Sequence, residues 1–466
     1  MITRGVKIST LCYAVLHFIT YFCQYKFLVD LQSISGFLIL FFAAFVFPVK
    51  KFKLPLSLFL IGMIVLIVSD TPIIEGLLNG FLQMRNIIGL LVVVPIISWV
   101  LTEESYIPSM IKFSQQLLNS SRKMYFGIMT FTQIIAYFLL FGAIPMIYQF
   151  LNMVLKHEKG EVWEHFKGTS ILRGFALSVM WVVSIPSYIF AIEAVNATLW
   201  KAILQGLGAA SIGIFIALIF SHYEEKRYKA DLSASLKREI ADLIEQVGEE
   251  KGKNRLAIEF MVLCVTFLGL IFSLNAILPL NLMMLIPLII IGWTISYYVL
   301  KRRVGSFIKQ VRIHYNKSLV QESFQISVML GAGFLIYALN QTNFAENVIN
   351  GIYSMQEMFP LINLLYLLPL MVIILGFAGL GPLTVMVLVG GILENLNLPY
   401  PPELIVLAIS SGSAISILLS PMIMPIIVLS NLNGLSGFKN GIKFNLLYAL
   451  VLYTIVQIYV QAMLYF

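Results

Sequence analysis

The chain has 466 residues, of which 59% are hydrophobic and only 12% charged; the net charge is +8 and the mean hydropathy +0.90. Soluble domains carry about 25% charged residues, so the composition excludes a soluble globular protein and points to a polytopic membrane protein. The basic excess lies in short loops between apolar runs, where it sets topology rather than binding nucleic acid.

The first apolar run, 8–23, follows Arg4 and Lys7 as a signal peptide would. It has no small-residue cleavage site and further spans follow, so it is expected as a retained first helix, with His17 as a polar residue inside it. Full spans are expected at 34–48, 54–70 and 86–101, with a mildly amphipathic stretch at 105–118 lying along the interface. The apolar stretch 124–155 is broken by Gly142-Ala143-Ile144-Pro145 and is expected to be a re-entrant hairpin. A broken span at 172–196 contains Gly174-Phe175-Ala176-Leu177-Ser178 and then Ser184-Ile185-Pro186-Ser187. A span at 199–220 closes this half.

The polar segment 221–255 balances its acidic and basic residues. Leu236, Ile240, Leu243, Ile244 and Val247 fall on one side of a helical wheel, which suits a cytoplasmic linker helix. Further spans are expected at 257–277, 280–300 and 323–340, then a second interfacial stretch at 342–358. The stretch 361–396, broken at Gly376–Pro382, is expected as a second hairpin. A broken span at 403–432 contains Gly412-Ser413-Ala414-Ile415-Ser416 and Ser420-Pro421, and 443–465 is the last span.

These elements describe an all-α membrane protein of about eleven spans plus two re-entrant hairpins. An extra first helix occupies 1–33, an inverted repeat each 34–220 and 257–466, and the linker 221–256. Gly174, Ala176 and Ser178 match Gly412, Ala414 and Ser416 at one constant offset. An odd number of crossings separates matched elements, which makes the repeats antiparallel. With the N-terminus in the cytoplasm, Lys50, Lys51, Lys53, the basic residues of 221–255 and 301–317, and Lys439 and Lys443 all fall inside, and the C-terminus falls outside. The localisation expected is a cell membrane.

Breaking a helix in hydrocarbon strands backbone groups that a ligand can satisfy, and matched breaks in two halves point to a transporter site. Half-helix N-termini suit an oxyanion; freed carbonyls and hydroxyls suit a sodium-sized cation. The candidate substrate-binding residues are Gly142, Ala143, Pro145, Ser184, Ser187, Gly379, Gly381, Pro382, Thr384, Ser411, Gly412, Ser413 and Ser416. Ser178, Asn196, Ser420 and Asn431 are candidates for a coupling ion. The run Ser410–Ser416 is the densest polar patch within a span, and an unwound middle would explain it. Glu394 and Glu403 are expected at solvated outer ends, and Glu193 near an outer end. Cys12, Cys23 and Cys264 form neither a disulfide framework nor a metal-ligand spacing, and the five histidines are scattered.

This layout resembles the ion-transporter superfamily, which includes divalent-anion/sodium symporters, citrate–metal transporters and arsenite exporters. The resemblance is architectural and covers nearly the whole chain. It implies a homodimer with a scaffold built from the early spans of each repeat. Hairpins and interrupted helices would form a transport domain that moves as an elevator. The anion symporters carry Ser-Asn-Thr at both hairpin tips, where this chain has Gly142-Ala143-Ile144-Pro145 and Gly379-Leu380-Gly381-Pro382. Residues specific for dicarboxylates are therefore not carried over, and the chain fits a separate branch.

The function expected is secondary active transport of a small anionic or polar solute, cation-coupled, with no organic cofactor beyond a bound sodium ion. Membrane lipid and the solute are the partners implied. The alternative is a lipid-handling or membrane assembly protein without a small-solute substrate, for which the Gly/Pro breaks would be incidental. An enzyme is not expected, because no acid, base, nucleophile or metal-ligand cluster lies in a span or short loop.

Overall fold

The computed structural model describes residues 2–104, 106, 120–155, 158, 160–228, 253–358, 363–394, 396 and 398–464. Among them there is no strand, and 11 helical segments are long and apolar enough to cross a membrane. The protein is thus an all-α multi-pass membrane protein. Helix is what lets an apolar run satisfy its own backbone in hydrocarbon. The expected interfacial stretch 105–118, apart from Tyr106, and most of the linker 221–255 lie outside the described residues.

The chain divides into two compact units, each drawn from both halves of the sequence. Unit 1 comprises Met1–Val100, Leu270–Asn363 and Val387–Leu398; unit 2 comprises Leu101–Gly269, Leu364–Met386 and Pro399–Phe466.

Unit 1 opens with α1 (Ile2–Phe22), α2 (Lys26–Val46) and α3 (Val49–Val68). The segment 71–84, expected as an outer loop, is largely helical: α4 (Ile73–Leu82) starts behind Pro72 and is followed by α5 (Arg85–Val93). Ile73, Leu77, Phe81 and their neighbours recur at helical spacing, which the interspersed Gly76, Asn79 and Gly80 dilute in a hydropathy average. A 3-10 turn then leads to α6 (Ser98–Glu103) at the edge of the unit. Small residues let helices approach closely. A Cβ on Gly62 would lie 3.0 Å from the Leu335 Cα, and one on Gly331 would lie 2.6 Å from the Pro55 carbonyl oxygen. Leu66, Phe334 and Ala338 form the buried cluster beside this contact, with Phe59, Met63 and Leu77 around it.

Unit 2 begins its described part with α7 (Ser121–Leu139) and α8 (Ala143–Val154), then α9 (Glu161–Ser178), α10 (Pro186–Ala194) and α11 (Leu199–Tyr228). Helix α9 starts well before the span expected at 172. Its polar first half is buried because partners in unit 2 take up its charges: Lys167 binds Glu164 and Asn152, and Tyr148 donates to Glu164 at 2.7 Å. Helix α12 (Lys253–Ile277) follows the linker, and α13 (Leu282–Leu300) belongs to unit 1.

The basic segment 301–317, expected as a loop, contains α14 (Val304–Ile313) and a π-turn at His314–Ser318 that runs into α15 (Leu319–Asn340). Helix α16 (Phe344–Met358) occupies the second interfacial stretch. The remaining helices are α17 (Leu364–Phe377), α18 (Pro382–Leu393), α19 (Pro402–Leu419), α20 (Met424–Asn433) and α21 (Phe444–Ala462).

Candidate solute site

Unit 2 holds two helices interrupted in the same way. Helix α9 ends at Ser178 in a few 3-10-type bonds, Met180 N–H to the Leu177 carbonyl at 3.2 Å among them. The chain becomes extended at Ile185 (φ −80°, ψ 113°), and Pro186 opens α10. Helix α19 ends at Leu419, Ser420 is extended (φ −76°, ψ 114°), and α20 begins at Met424 with Pro425 in its first turn. Proline suits both restarts: its missing N–H costs nothing at a helix N-terminus, and it biases the preceding residue toward extended backbone.

Both interruptions lie after the Gly/Ser runs, not within them. Gly174–Ser178 and Ser410–Ser416 are regular helix. The expected unwinding of the serine run is replaced by close packing. A Cβ on Gly412 would sit 2.7 Å from the Pro369 carbonyl oxygen of α17, and one on Gly174 would sit 2.8 Å from the Met129 carbonyl oxygen of α7. Serine hydroxyls in these runs bond back along the helix, Ser411 to the Ala408 carbonyl at 2.9 Å and Ser178 to the Phe175 carbonyl at 2.6 Å. Ser413 is fully buried and its hydroxyl has no hydrogen-bond partner among the described residues.

Each interruption carries a serine that reaches the helix preceding a chain break. The Ser184 hydroxyl donates to the Tyr137 carbonyl in the last turn of α7. The Ser420 hydroxyl donates to the Gly376 carbonyl in the last turn of α17, at 2.9 Å. Last-turn carbonyls have no partner within their own helix, so the two serines cap equivalent positions. Both serines and their partner helices belong to unit 2.

The chain breaks that follow α7 and α17 differ. After α7 the chain bends through a 3-10 turn at Leu140–Gly142, with Leu140 at φ 49°, ψ −126°. After α17 it bends at Gly379, φ +88°, a conformation side chains disfavour. Gly142 is exposed, Ala143 is buried and Pro145 is half-buried in the first turn of α8. Gly379 and Gly381 are half-buried, while Pro382, Thr384, Ser187 and Ser416 are buried. Ser178, Ser184 and Ser420 are buried at or beside the interruptions. Asn196 and Asn431 are exposed. Asn196 (φ 53°) terminates α10, where the Ala197 N–H reaches back to the Ile192 carbonyl at 2.9 Å.

The most heavily bonded polar group of unit 2 escaped the sequence reading. Arg173 is fully buried on α9. Its guanidinium donates to Asn445 Oδ1 (2.9 Å), the Tyr125 hydroxyl (3.0 Å), Glu224 Oε1 (2.9 Å) and the Phe444 carbonyl (3.2 Å), and lies 4.6 Å from the Tyr448 ring centroid. Asn445 donates onward to the Asn440 carbonyl at 2.8 Å, and Asn440 to the Ser430 hydroxyl of α20 at 3.0 Å. The signal was a lone arginine beside Gly174 in an otherwise apolar run. Glu403 is buried instead of solvated, and accepts from the Thr198 N–H at 3.2 Å. Near the start of α9, Lys439 binds Glu161 at 2.7 Å, and that hydrogen bond holds the Glu161 carboxyl below its usual range.

The interruptions thus offer neutral hydroxyls and backbone carbonyls. Among the described residues no group of three or more His, Cys, Asp or Glu side chains is arranged to hold a metal ion. No known protein family matches the chain, and no curated protein matches it.

Proposed function

We propose that the protein is a secondary active transporter for a small anionic or polar solute, cation-coupled, with its site at the interruptions of unit 2. The observation that carries this is the pair of break serines. Two interrupted helices of one unit each direct a buried hydroxyl to the last turn of a neighbouring helix, at polar, uncharged positions. Backbone left free at such ends is tolerated in a membrane where it lines a cavity or a ligand site. Within this proposal the two halves form inverted repeats, the hairpins are re-entrant, and unit 2 is the moving body of an elevator with unit 1 as its scaffold.

The test is thermal stability of the purified protein against a panel of organic and inorganic anions, each with sodium or potassium. A ligand that binds the folded state raises the melting temperature by mass action. A rise that needs both an anion and sodium, and that is lost in Ser420→Ala, is the expected result. No rise with any member of the panel would move the assignment to a lipid-handling or assembly role.

A further inference from the structure

Four polar residues line one face of α1: Thr10, Tyr13, His17 and Thr20, at i, i+3, i+7 and i+10, all almost fully buried in unit 1. Polar residues inside a membrane protein commonly join helices by hydrogen bonds. That explains two of them. Tyr13 donates to the Phe81 carbonyl at 2.7 Å, and Thr20 donates to Gln32 Oε1 of α2 at 2.8 Å.

It does not explain His17, which is 1% exposed and has no partner for either ring nitrogen. Nor does it explain the Gln32 amide nitrogen, buried and equally without a partner. Gln32 lies within a helical turn of His17, because Thr20, which holds it, follows His17 by one turn on the same face of α1. Helix α5 closes the third side. Gly89 faces the imidazole so closely that a side-chain carbon there would run into the ring. Arg85, one turn earlier on the same face of α5, is half-buried and makes no hydrogen bond or ion pair among the described residues.

Each unsatisfied polar group in hydrocarbon costs several kcal/mol, so two buried side chains left open beside a half-buried guanidinium call for an occupant. The Gln32 amide and the guanidinium only donate; the imidazole donates from one nitrogen and accepts at the other. The complement is an acceptor-rich anion that also bears a hydroxyl. Guanidinium favours phosphate oxygens in particular. We propose that His17, Gln32 and Arg85 form a binding site in unit 1 for a hydroxyl-bearing phosphate group, either free dihydrogen phosphate or a glycerol-bearing phospholipid headgroup.

The full-length protein in zwitterionic detergent is titrated with sodium phosphate, and with sodium chloride at matched ionic strength, while melting is followed. Native mass spectrometry of the same protein, with added phosphatidylglycerol or phosphatidylcholine, reads lipid retention. A phosphate-specific rise in melting temperature identifies the free anion as occupant; selective retention of phosphatidylglycerol identifies the headgroup. Either response should weaken about tenfold or more in Arg85→Gln, the loss of one charge-assisted contact. Should Arg85→Gln fold poorly, Gln32→Glu replaces the open donor with a carboxylate while keeping the oxygen that Thr20 binds, and it should abolish the response. Equal responses to both probes in the wild type and in the folded variants overturn the site. Ser420→Ala leaves this response intact, so failure of the solute site in unit 2 and failure of this site are read separately.

Discussion

Gly376 on α17 faces Ser416 on α19 with no space for a side-chain carbon between them, and the Gly376 carbonyl is the acceptor for Ser420, just past the end of α19. One glycine therefore sets both the approach of α17 and the capping bond. Gly376→Ala must displace the Ser416 hydroxyl, and overpacking of this kind costs about 1–3 kcal/mol. The variant should melt lower than wild type, and the added substitution Ser416→Gly should recover most of the loss. A double variant no better than Gly376→Ala would show that the clash lies elsewhere.

Ser184→Ala and Ser420→Ala each remove a hydroxyl donor from a last-turn carbonyl in a buried place, but the Gly376 carbonyl keeps the Gly379 N–H at 3.1 Å. The expected loss is about 1–3 kcal/mol for Ser184→Ala and about 0.5–1.5 kcal/mol for Ser420→Ala. The two sites share no partner, so the losses should add within a few tenths of a kcal/mol. Chemical denaturation of the single and double variants measures this.

Ser413 separates folding from function. Its buried hydroxyl has no partner, so Ser413→Ala should leave stability unchanged or slightly raised. If solute binds at this face of α19, the same variant should bind it more weakly. A bulky residue at Ser413 or at Ala143 should stop solute movement in vesicles without loss of expression. Full transport in both would remove these positions from the site.

Arg173→Met strands Asn445 in a buried place and leaves Glu224, whose side chain is 20% exposed, without its guanidinium. Removing one partner of a fully buried ion pair costs about 3–5 kcal/mol, and the water that reaches Glu224 puts the expected loss below that range. Adding Glu224→Gln removes the orphaned charge and should return part of that loss. A double-mutant cycle on melting temperatures gives the coupling, and a coupling near zero would contradict the geometry described.

The Lys439–Glu161 bond adds a small acid-side dependence. Its carboxyl titrates lower folded than unfolded, so the contribution is present above the unfolded carboxylate pKa, about 4.3. It fades as pH falls through the lower folded value. Melting curves of Glu161→Gln and wild type should converge at the acid end of that window and differ above it.

The helical class and most spans are legible in the sequence because hydropathy sums along the chain. The two interrupted helices are legible too, since Ile185-Pro186 and Ser420-Pro421 place proline after the residues that turn extended. What hydropathy cannot reveal is pairing across the chain. The polar start of α9 looks like a loop until Lys167 meets Asn152 and Glu164. Arg173 looks like a stray charge, yet one partner, Asn445, lies 272 positions away. The serine run 410–416 looks like a place to unwind, but Gly412 spends that run on contact with Pro369 and the chain opens only at Ser420. Leu140 gives no turn signal at all, although it adopts the left-handed φ that glycine supplies at 379.

The bonds of Arg173 bear on how the chain can be divided. The arginine comes from before the linker, while Asn445, the Phe444 carbonyl and the Tyr448 ring come from after it. A fragment ending at the linker would enter the bilayer with a guanidinium missing half its acceptors, and the complementary fragment would lack the donor that its asparagine awaits. Neither half is an autonomous folding module; if the gene were split at the linker, the pieces would have to be co-translated and meet in the same membrane to mature.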